Sequence, residues 1–310
     1  MPERFFILDG HSHCYQAYYA ITAKLTTPDG KPANAVYGFT RMLQKLLREH
    51  HPEYVVVVFD TKYATHRHNT YAEYKANRKP TPDELQAQIP LIYKVVRAYN
   101  IPIYAAKGYE ADDIISALVK KLSEKNVEII IATSDKDMEQ LLSPQVKIFN
   151  AKKGVMIDQE TLYKEKGIRP EQVVDVLSLS GDSSDNVPGV PGIGNKTALE
   201  LIQKWGSLES VLSSIDQISG KKRQENLRLF SDQARFSQKS ESIFHRPGNN
   251  QRQTPQGTDR GYLIFLAAEG GVLPAFDDAE WNRTFGCKHS ASKNTNRVRR
   301  RKHQENWSEY

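Results

Sequence analysis

The feature that most constrains the fold is a regular alternation of short apolar runs with amphipathic segments along the first part of the chain. Strand-like and helical segments follow one another, beginning with a strand, in the order 4–9, 35–50, 54–60, 83–100, 101–105, 110–125 and 127–132. Strands separated by helices favour right-handed crossover connections. The sequence therefore predicts an α/β fold with a mostly parallel sheet flanked by helices.

Carboxylates stand where the predicted strands end. Acids end the first and second strands, open the helix after the third strand and follow the fourth, and a later Gly-Asp-Ser-Ser-Asp motif adds two more. The full set is Asp9, Asp60, Glu110, Asp112, Asp113, Asp135, Asp137, Asp182 and Asp185. Because the carboxyl ends of parallel strands meet at one edge of a sheet, these acids are expected to converge.

Such a cluster requires compensating charge, because burying even one unpaired carboxylate costs several kcal/mol. Oxygen ligands select Mg²⁺ or Mn²⁺ rather than zinc. Two such ions about 4 Å apart can activate water and stabilise the leaving oxygen of a phosphodiester. The alternative is that the acids are ordinary helix caps and turn formers, which is the usual role of a single Asp after a strand.

The segment 61–81 interrupts the alternation with a polar, basic and aromatic stretch directly after a strand. Arg67, Lys75 and Arg78 alternate there with Tyr71 and Tyr74. Basic side chains can clamp a phosphate, and tyrosines can stack on unpaired bases. A helix would place Tyr71, Lys75 and Arg78 on one face. We interpret the segment as a substrate gate, and a solvated charged helix is the alternative.

A glycine-dense stretch at 188–196 leads into a predicted helix and contains Gly189, Gly192, Gly194 and Lys196. It matches neither a Walker A loop nor a dinucleotide fingerprint, since a helical segment rather than a strand precedes it. A glycine turn between helices can offer backbone N–H groups to a phosphate of duplex DNA. An ordinary helix–helix connection is the alternative.

Composition excludes several classes of protein. Hydrophobic residues make up 39% of the 310 residues, enough for a buried core, and the net charge of +6 permits a polyanionic partner. No apolar run approaches the roughly 20 residues of a membrane span, and no signal peptide is apparent. Cys14 and Cys287 suggest neither a disulfide framework nor a zinc site, which fits a reducing cytoplasm. Residues 240–310 are polar and basic and are expected to hold little stable structure.

Seven ordered motifs in residues 4–239 resemble the 5′-nuclease domain of bacterial DNA polymerase I, in the flap endonuclease superfamily. They are ILDG, VVFD, YKANR, YEADD, TSDKD, SGDSSDN and PGVPGIGNKTA. The resemblance implies a PIN-like nuclease core at 1–160 with a helical arch at about 61–82. It also implies a helical DNA-binding subdomain at 161–239, whose helix-hairpin-helix-type motif lies at 187–197. Residues 240–310 resemble no part of the family and form an atypical basic tail.

The resemblance also implies roles for the motif residues. Ligands of a first metal ion are Asp9, Asp60, Glu110 and Asp112, with Asp113 beside them. The second-metal group is Asp135, Asp137, Asp182 and Asp185. Lys75 and Arg78 would contact the scissile phosphate, and Arg67 and the two arch tyrosines would meet DNA. Gly189, Gly192, Gly194 and Lys196 would grip the duplex backbone, with a K⁺ ion at the hairpin.

The implied activity is structure-specific hydrolysis of DNA at 5′ ends, flaps and nicks during replication and repair, by a cytoplasmic bacterial monomer. We hypothesise that the chain is a truncated or frame-shifted polymerase I product that lacks the polymerase region. The first alternative is a non-catalytic module that binds DNA structures. A related small ribonuclease is disfavoured by the glycine hairpin and long arch, and an ATPase by the missing Walker loop.

Overall fold

The computed structural model describes residues 2–23, 25–65, 67–68 and 71–242, with two further short strands at Ala267–Ala268 and Gly271–Val272. These two strands pair antiparallel. The prediction of little stable structure for 240–310 otherwise falls outside the described residues.

A six-stranded sheet forms the centre of the molecule. Its strands are β1 (Glu3–Asp9), β2 (Tyr54–Val58), β3 (Ile103–Tyr104), β4 (Val127–Ala132), β5 (Val146–Asn150) and β6 (Val155–Ile157), in the order β3-β2-β1-β4-β5-β6. All neighbours pair parallel except β5 and β6, which form an antiparallel edge. The predicted mostly parallel sheet is thereby confirmed, and the last two strands add to the four that the apolar runs indicated.

Helices cover both faces of this sheet. They are α1 (Gly10–Ala20), α2 (Asn34–His50), α3 (Asp83–Ala98) and α4 (Ala111–Leu122). Residues Phe6 and Leu8 of β1 point to the face that α1, α2 and α3 cover, whereas Phe5 and Ile7 point to the face that α4 covers. This alternation follows from the two-residue period of a strand, and burial on both faces explains why the strands read as continuous apolar runs.

The second half of the chain is mostly helical. Its helices are α5 (Gln159–Lys166), α6 (Val173–Ser180), α7 (Asn195–Trp205), α8 (Leu208–Ser213), α9 (Lys221–Leu229) and α10 (Ser231–Glu241). Single 3-10 turns stand at Asp137–Leu141, Pro170–Gln172 and Ile215–Gln217. The apolar faces of these helices join the α4-side core in one continuous cluster.

This half of the chain is not helical throughout. A two-residue antiparallel pair, β7 (Gly181–Asp182) with β8 (Val187–Pro188), interrupts it. The pair closes residues 182–187 into a loop, which lies between α6 and α7 in the chain. Loop formers in this stretch, Gly, Ser, Asp and Asn, favour such a turn over a helix.

Residues 72–77 of the segment after β2 form successive turns, and Lys75 adopts a left-handed φ of 57°. Tyr71, Lys75 and Arg78 therefore do not share one face of a regular helix. In the part of the chain that the structure describes, no helix has the length and apolar content needed to cross a membrane.

Candidate active site

The first carboxylate of the site lies where β1 passes into α1. Asp9 caps α1, and its Oδ1 accepts a hydrogen bond of 3.0 Å from the Ser12 N–H. Its Oδ2 accepts a bond of 2.9 Å from the Thr133 hydroxyl. Burial raises the pKa of Asp9 to about 7, and the nearby Asp60 and Asp135 add to the rise that these hydrogen bonds oppose.

Asp60 joins the end of β2 to the start of α4. Its Oδ1 accepts a hydrogen bond of 2.7 Å from the Ala111 N–H, and its own N–H donates to His11 Nδ1 at 3.1 Å. Since Nδ1 accepts this bond, the His11 ring is neutral, and burial lowers the pKa of His11 in agreement. The 3.4 Å approach of the same Nδ1 to Asp60 Oδ2 is therefore not a charged pair.

Two further acids share this crevice and repel their neighbours. Burial raises the pKa of Asp112 well above its ordinary value, and the charges of Asp135, Asp9 and Asp60 raise it further. Burial likewise raises the pKa of Asp135, although its Oδ1 accepts a hydrogen bond of 2.9 Å from the Asp137 N–H. The raised values indicate a site with an excess of buried negative charge.

Cationic side chains of the segment after β2 lie against the two acids nearest to it. Lys75 Nζ is 2.8 Å from Glu110 Oε2 and 3.6 Å from Asp185 Oδ2. The Arg78 guanidinium pairs with Asp185 Oδ1 at 2.5 Å. Burial would raise the pKa of Asp185, but Lys75, Tyr74 and Arg78 together hold it below its ordinary value. Both expected catalytic cations therefore stand beside the expected metal ligands.

Two predicted site residues form an internal ion pair instead. The Arg67 guanidinium is buried and holds both oxygens of Asp113, at 3.0 and 2.8 Å. Asp113 Oδ2 also accepts the Glu110 N–H, which completes a capping box at the start of α4. In this arrangement Arg67 and Asp113 are paired with each other. Contact of Arg67 with DNA and of Asp113 with a metal ion stay predictions.

The two tyrosines of the arch also differ from one another. Tyr74 is only 5% exposed, and its hydroxyl donates to Glu110 Oε2 at 3.0 Å and to Asp185 Oδ2 at 2.6 Å. Its ring is therefore buried in this arrangement, and stacking of a base on Tyr74 stays a prediction. Tyr71 is partly exposed and packs edge-on against Phe236 of α10, with ring centroids 5.9 Å apart.

The loop between β7 and β8 carries Asp182 and Asp185 to the edge where the strands end. Asp182 is buried, and its Oδ1 accepts the Ser184 N–H at 2.7 Å. The arch is fastened to this loop by Asn77, whose side chain donates to the Ser183 carbonyl at 2.8 Å. The Asn186 side chain donates a hydrogen bond of 2.7 Å to the Glu73 carbonyl. The loop and the arch thus form one unit around Asp185.

Sequence reasoning missed Thr133, which lies between two of the acids. Its hydroxyl donates to Asp9 Oδ2 and accepts a hydrogen bond of 3.1 Å from the Asp135 N–H. The only sequence feature that pointed to Thr133 is its position immediately after β4. A hydroxyl after a strand usually serves a local turn, so this contact across the sheet could not be inferred from it.

The glycine hairpin lies between β8 and α7. A side chain at Gly189 would place its Cβ 2.3 Å from the backbone of Ser180 and Gly181, so this position requires glycine. Gly192 has a φ of +79°, and Gly194 directly precedes α7, whose first turn exposes Lys196. The hairpin therefore presents the amino end of an 11-residue helix and a lysine to solvent.

The acids suit a hard divalent cation in their chemistry, since they are buried oxygen donors that raise one another's pKa. Within the described ranges, no three His, Cys, Asp or Glu side chains converge on one point as they stand. Glu110 Oε2 and both carboxylate oxygens of Asp185 contact Lys75, Arg78 or Tyr74. The carboxylates therefore have the chemistry of metal ligands, and two of them, Glu110 and Asp185, are paired with Lys75 and Arg78.

Comparison with known proteins gives matches over most of the chain. The family model of the 5′-3′ exonuclease N-terminal resolvase-like domain matches residues 4–168, and that of the 5′-3′ exonuclease C-terminal SAM fold matches residues 168–244. A 5′-3′ exonuclease of Aquifex aeolicus is 42% identical over 67% of this chain and 72% of its own. DNA polymerase I of Bacillus caldotenax is 40% identical over 90% of this chain.

The comparison with DNA polymerase I shows how much of that protein the chain spans and how far the similarity extends into residues 240–310. The chain spans about a third of the Bacillus caldotenax polymerase, 33% of its length. A match over 90% of this chain must include residues beyond 239. The expectation that residues 240–310 resemble no part of the family is therefore wrong for at least the first portion of that segment.

Solved structures show the same fold. The T5 D15 protein co-crystallised with metal ions is 19% identical, with a TM-score of 0.65 over 78% of this chain and 90% of its own. The catalytic core of Rad2 in complex with DNA substrate is 18% identical, with a TM-score of 0.52 over 82% of each chain. The matched family models cover the described residues almost completely, and the chain belongs to the 5′-3′ exonuclease family.

Proposed function

We propose that this chain is a metal-dependent 5′-3′ exonuclease and flap endonuclease that hydrolyses phosphodiester bonds near the 5′ ends of DNA. The observation that carries the proposal is the group of buried, mutually repelling carboxylates at the ends of β1, β2 and β4, with Lys75 and Arg78 beside it. Buried carboxylate charge is energetically costly, and a bound divalent cation would neutralise it. Sites of phosphoryl chemistry use both metal cations and carboxylates.

Two Mg²⁺ ions, or Mn²⁺ in their place, would supply an activated water and stabilisation of the leaving oxygen. The residues that would hold the first are Asp9, Asp60, Glu110 and Asp112. Those that would hold the second are Asp135, Asp137, Asp182 and Asp185. Asp113 would act through its pair with Arg67, which fixes the capping box at Glu110, rather than as a ligand. Solved structures of the T5 D15 protein and of T5 5′-exonuclease contain bound metal ions, which supports the proposal.

Lys75 and Arg78 have two tasks in this proposal. Without substrate they neutralise Glu110 and Asp185, as their distances of 2.8 and 2.5 Å indicate. With the carboxylates otherwise neutralised, the same two side chains are free to turn towards the scissile phosphate and stabilise its developing negative charge. Lys75 adopts a left-handed φ of 57°, and its Nζ lies between Glu110 and Asp185.

The hairpin would hold the duplex part of the DNA. Backbone N–H groups at the start of α7 and the exposed Lys196 suit phosphate oxygens and read no bases. A K⁺ ion at the hairpin carbonyls would complete this contact. Solved structures of the T5 D15 flap endonuclease and of the Rad2 catalytic core contain DNA, which supports DNA as the partner. We propose a duplex with a 5′ flap, nick or end as the substrate and a monomer as the enzyme.

The direct test is cleavage of a flap duplex labelled at its 5′ end, in Mg²⁺ and in excess EDTA. We expect metal-dependent release of short 5′ products, and a loss of at least about 100-fold in turnover for Asp60→Asn. Asp232→Asn, at an exposed position on α10, is the matched control and should cleave as the wild type does. Unchanged turnover in Asp60→Asn would overturn the metal assignment.

The second candidate is a non-catalytic module that binds DNA structures. It is favoured by the ion pairs at Glu110, Asp113 and Asp185, which satisfy part of the negative charge without any metal ion. Calorimetric titration of Mg²⁺ without DNA separates the two candidates. In the nuclease, Lys75→Met removes a competing cation and should tighten Mg²⁺ binding, whereas the exposed Lys79→Met should not. The binding module would be favoured if the protein bound DNA equally well in EDTA and showed neither Mg²⁺ binding nor cleavage.

A further inference from the structure

The hydroxyl of Thr133 contacts two acids that the proposed function assigns to different metal ions. Its Oγ1 donates to Asp9 Oδ2 at 2.9 Å and accepts a hydrogen bond of 3.1 Å from the Asp135 N–H. Asp9 belongs to the residues proposed for the first ion, and Asp135 belongs to those proposed for the second. One side-chain oxygen of a fully buried residue therefore connects the two groups.

The sheet fixes the position of this hydroxyl. Strands β1 and β4 pair parallel, with Leu8 opposite Ala132, so Asp9 and Thr133 are the next positions along the two segments. The Thr133 N–H also donates to the Phe149 carbonyl of β5 at 3.2 Å. Because the backbone of Thr133 is held between two strands, its side chain has little freedom to move away from Asp9.

An ordinary turn explains only half of this contact. A Thr hydroxyl that bonds to the backbone two residues on forms a common local turn. A hydroxyl carries one proton and two lone pairs, so accepting the Asp135 N–H leaves the proton for another partner. That proton goes to Asp9, which is 124 residues away in the sequence. The bond to Asp9 is therefore the one that requires a role beyond the turn.

A second connection runs beside the first, through the next residue of the chain. Ser134 Oγ lies 3.0 Å from Ser12 Oγ, and the Ser12 N–H donates to Asp9 Oδ1 at 3.0 Å. The Gln16 side chain donates to Ser134 Oγ at 2.8 Å and to Ser12 Oγ at 3.2 Å, which ties the two hydroxyls together. Each carboxylate oxygen of Asp9 is thus connected to the segment 133–135, one directly and one through Ser12.

Hydrogen-bonded neighbours of this kind orient metal ligands. Losing such a neighbour typically costs about 10–100-fold in metal affinity or activity. Two ions that act on one phosphodiester must also lie about 4 Å apart. A link between one acid of each group suits this requirement, because it fixes the first group relative to the second.

We propose that Thr133, supported by Ser134, is a positioning residue that sets the distance between the two metal groups by holding Asp9 and Asp135 together. Thr133 acts through these two acids rather than on the DNA. The inference rests on the proposed function and adds to it a device that spaces the two ions.

The test follows binding of Mn²⁺ to the full chain without DNA, by calorimetric titration and by electron paramagnetic resonance. Two Mn²⁺ ions about 4 Å apart are magnetically coupled, so their spectrum differs from that of isolated ions. The wild type should bind two coupled ions. Thr133→Val keeps the shape of the side chain but removes the hydroxyl, so it should weaken binding of at least one ion by about tenfold or more and lose the coupled spectrum.

Thr133→Ser retains the hydroxyl and should restore the affinity and the coupled spectrum, which a role in packing alone does not predict because serine lacks the methyl group. Thr40→Val is the matched control, since the Thr40 hydroxyl donates to the Val36 carbonyl of its own helix at 2.7 Å. Circular dichroism establishes that each variant is folded. Should Thr133→Val fail to fold, Ser134→Ala, at an exposed position, replaces it in both measurements and should also reduce the coupling.

Cleavage of the flap duplex by the wild type is measured alongside and separates this inference from the proposed function. The inference alone is overturned if the wild type cleaves and binds two coupled ions while the folded variant without the hydroxyl binds them with the same affinity and the same spectrum. If the wild type neither binds Mn²⁺ nor cleaves, the proposed function fails and the inference fails with it.

Discussion

The Asp9 side chain has two opposite effects on the stability of the fold. As the cap of α1 it accepts hydrogen bonds from Ser12 and Thr133, and these stabilise its charged form. Burial and the neighbouring acids Asp60 and Asp135 favour its neutral form, and their effect is larger. The side chain is therefore held in place by local contacts in a position where its charge is costly, which suits a residue that receives a cation.

This balance predicts a pH-dependent stability. Because folding raises the pKa of Asp9 from 3.8 to about 7, its ionisation destabilises the folded state; the cost is absent below pH 4, grows between pH 4 and 7, and is complete above pH 7. In EDTA, Asp9→Asn should therefore raise the free energy of unfolding at pH 8 by up to about 4 kcal/mol, three pKa units of ionisation.

Urea denaturation at pH 8 and at pH 4 measures this effect, with Asp232→Asn as the exposed control. The gain for Asp9→Asn should disappear at pH 4, where the wild-type carboxyl is itself neutral. An equal gain at both pH values would show that Asp9 acts through its packing and hydrogen bonds rather than through its charge.

At the scale of elements, the pairing of β7 with β8 decides where the acids of the 182–187 loop stand. The pairing brings the backbone of Gly189 against Ser180 and Gly181, closer than any side chain allows. Gly194, five residues later, has open space where a Cβ would lie and a φ of −87°, which every residue adopts. Of these two glycines of the same motif, only Gly189 is required by the backbone packing.

The two positions should respond differently to the same substitution. Gly189→Ala should lower the free energy of unfolding by about 2 kcal/mol or more, since a Cβ 2.3 Å from backbone atoms forces the strands apart. Gly194→Ala should change it by less than about 0.5 kcal/mol. Thermal unfolding of both variants provides the comparison, and equal losses would contradict the close approach at Gly189.

At the scale of the whole molecule, one hydrophobic cluster joins the sheet to the helical half. It runs from Phe5 and Ile7 of β1 through α4 to Leu201 and Ile202 of α7. The hairpin and the carboxylates are consequently held at a fixed distance by a shared core, which suits a substrate that must contact both.

A shared core predicts that damage in the helical half weakens the sheet. Ile202→Ala removes a fully buried side chain and should cost about 2–5 kcal/mol. Hydrogen exchange should then show lower protection of the amides of β1 as well as those of α7. Leu229→Ala, at a 70% exposed leucine, is the control. Loss of protection in α7 alone would mean that the two halves unfold independently.

The sequence by itself determined the α/β class, the parallel sheet and the convergence of acids at one edge. These follow from local causes, because apolar runs buried on both faces must be central strands, and parallel strands end on the same side. Asp9 and Asp60 belong to that edge because each directly follows an apolar run.

Only the tertiary structure decided which partners the charged groups take. Arg67 and Asp113 are 46 residues apart, Lys75 and Asp185 are 110 apart, and no local pattern records that they meet. The same holds for Tyr74, whose burial depends on a loop that arrives more than a hundred residues later. Periodicity fixes which way a side chain faces within its own element, but the charge opposite it depends on how distant elements pack.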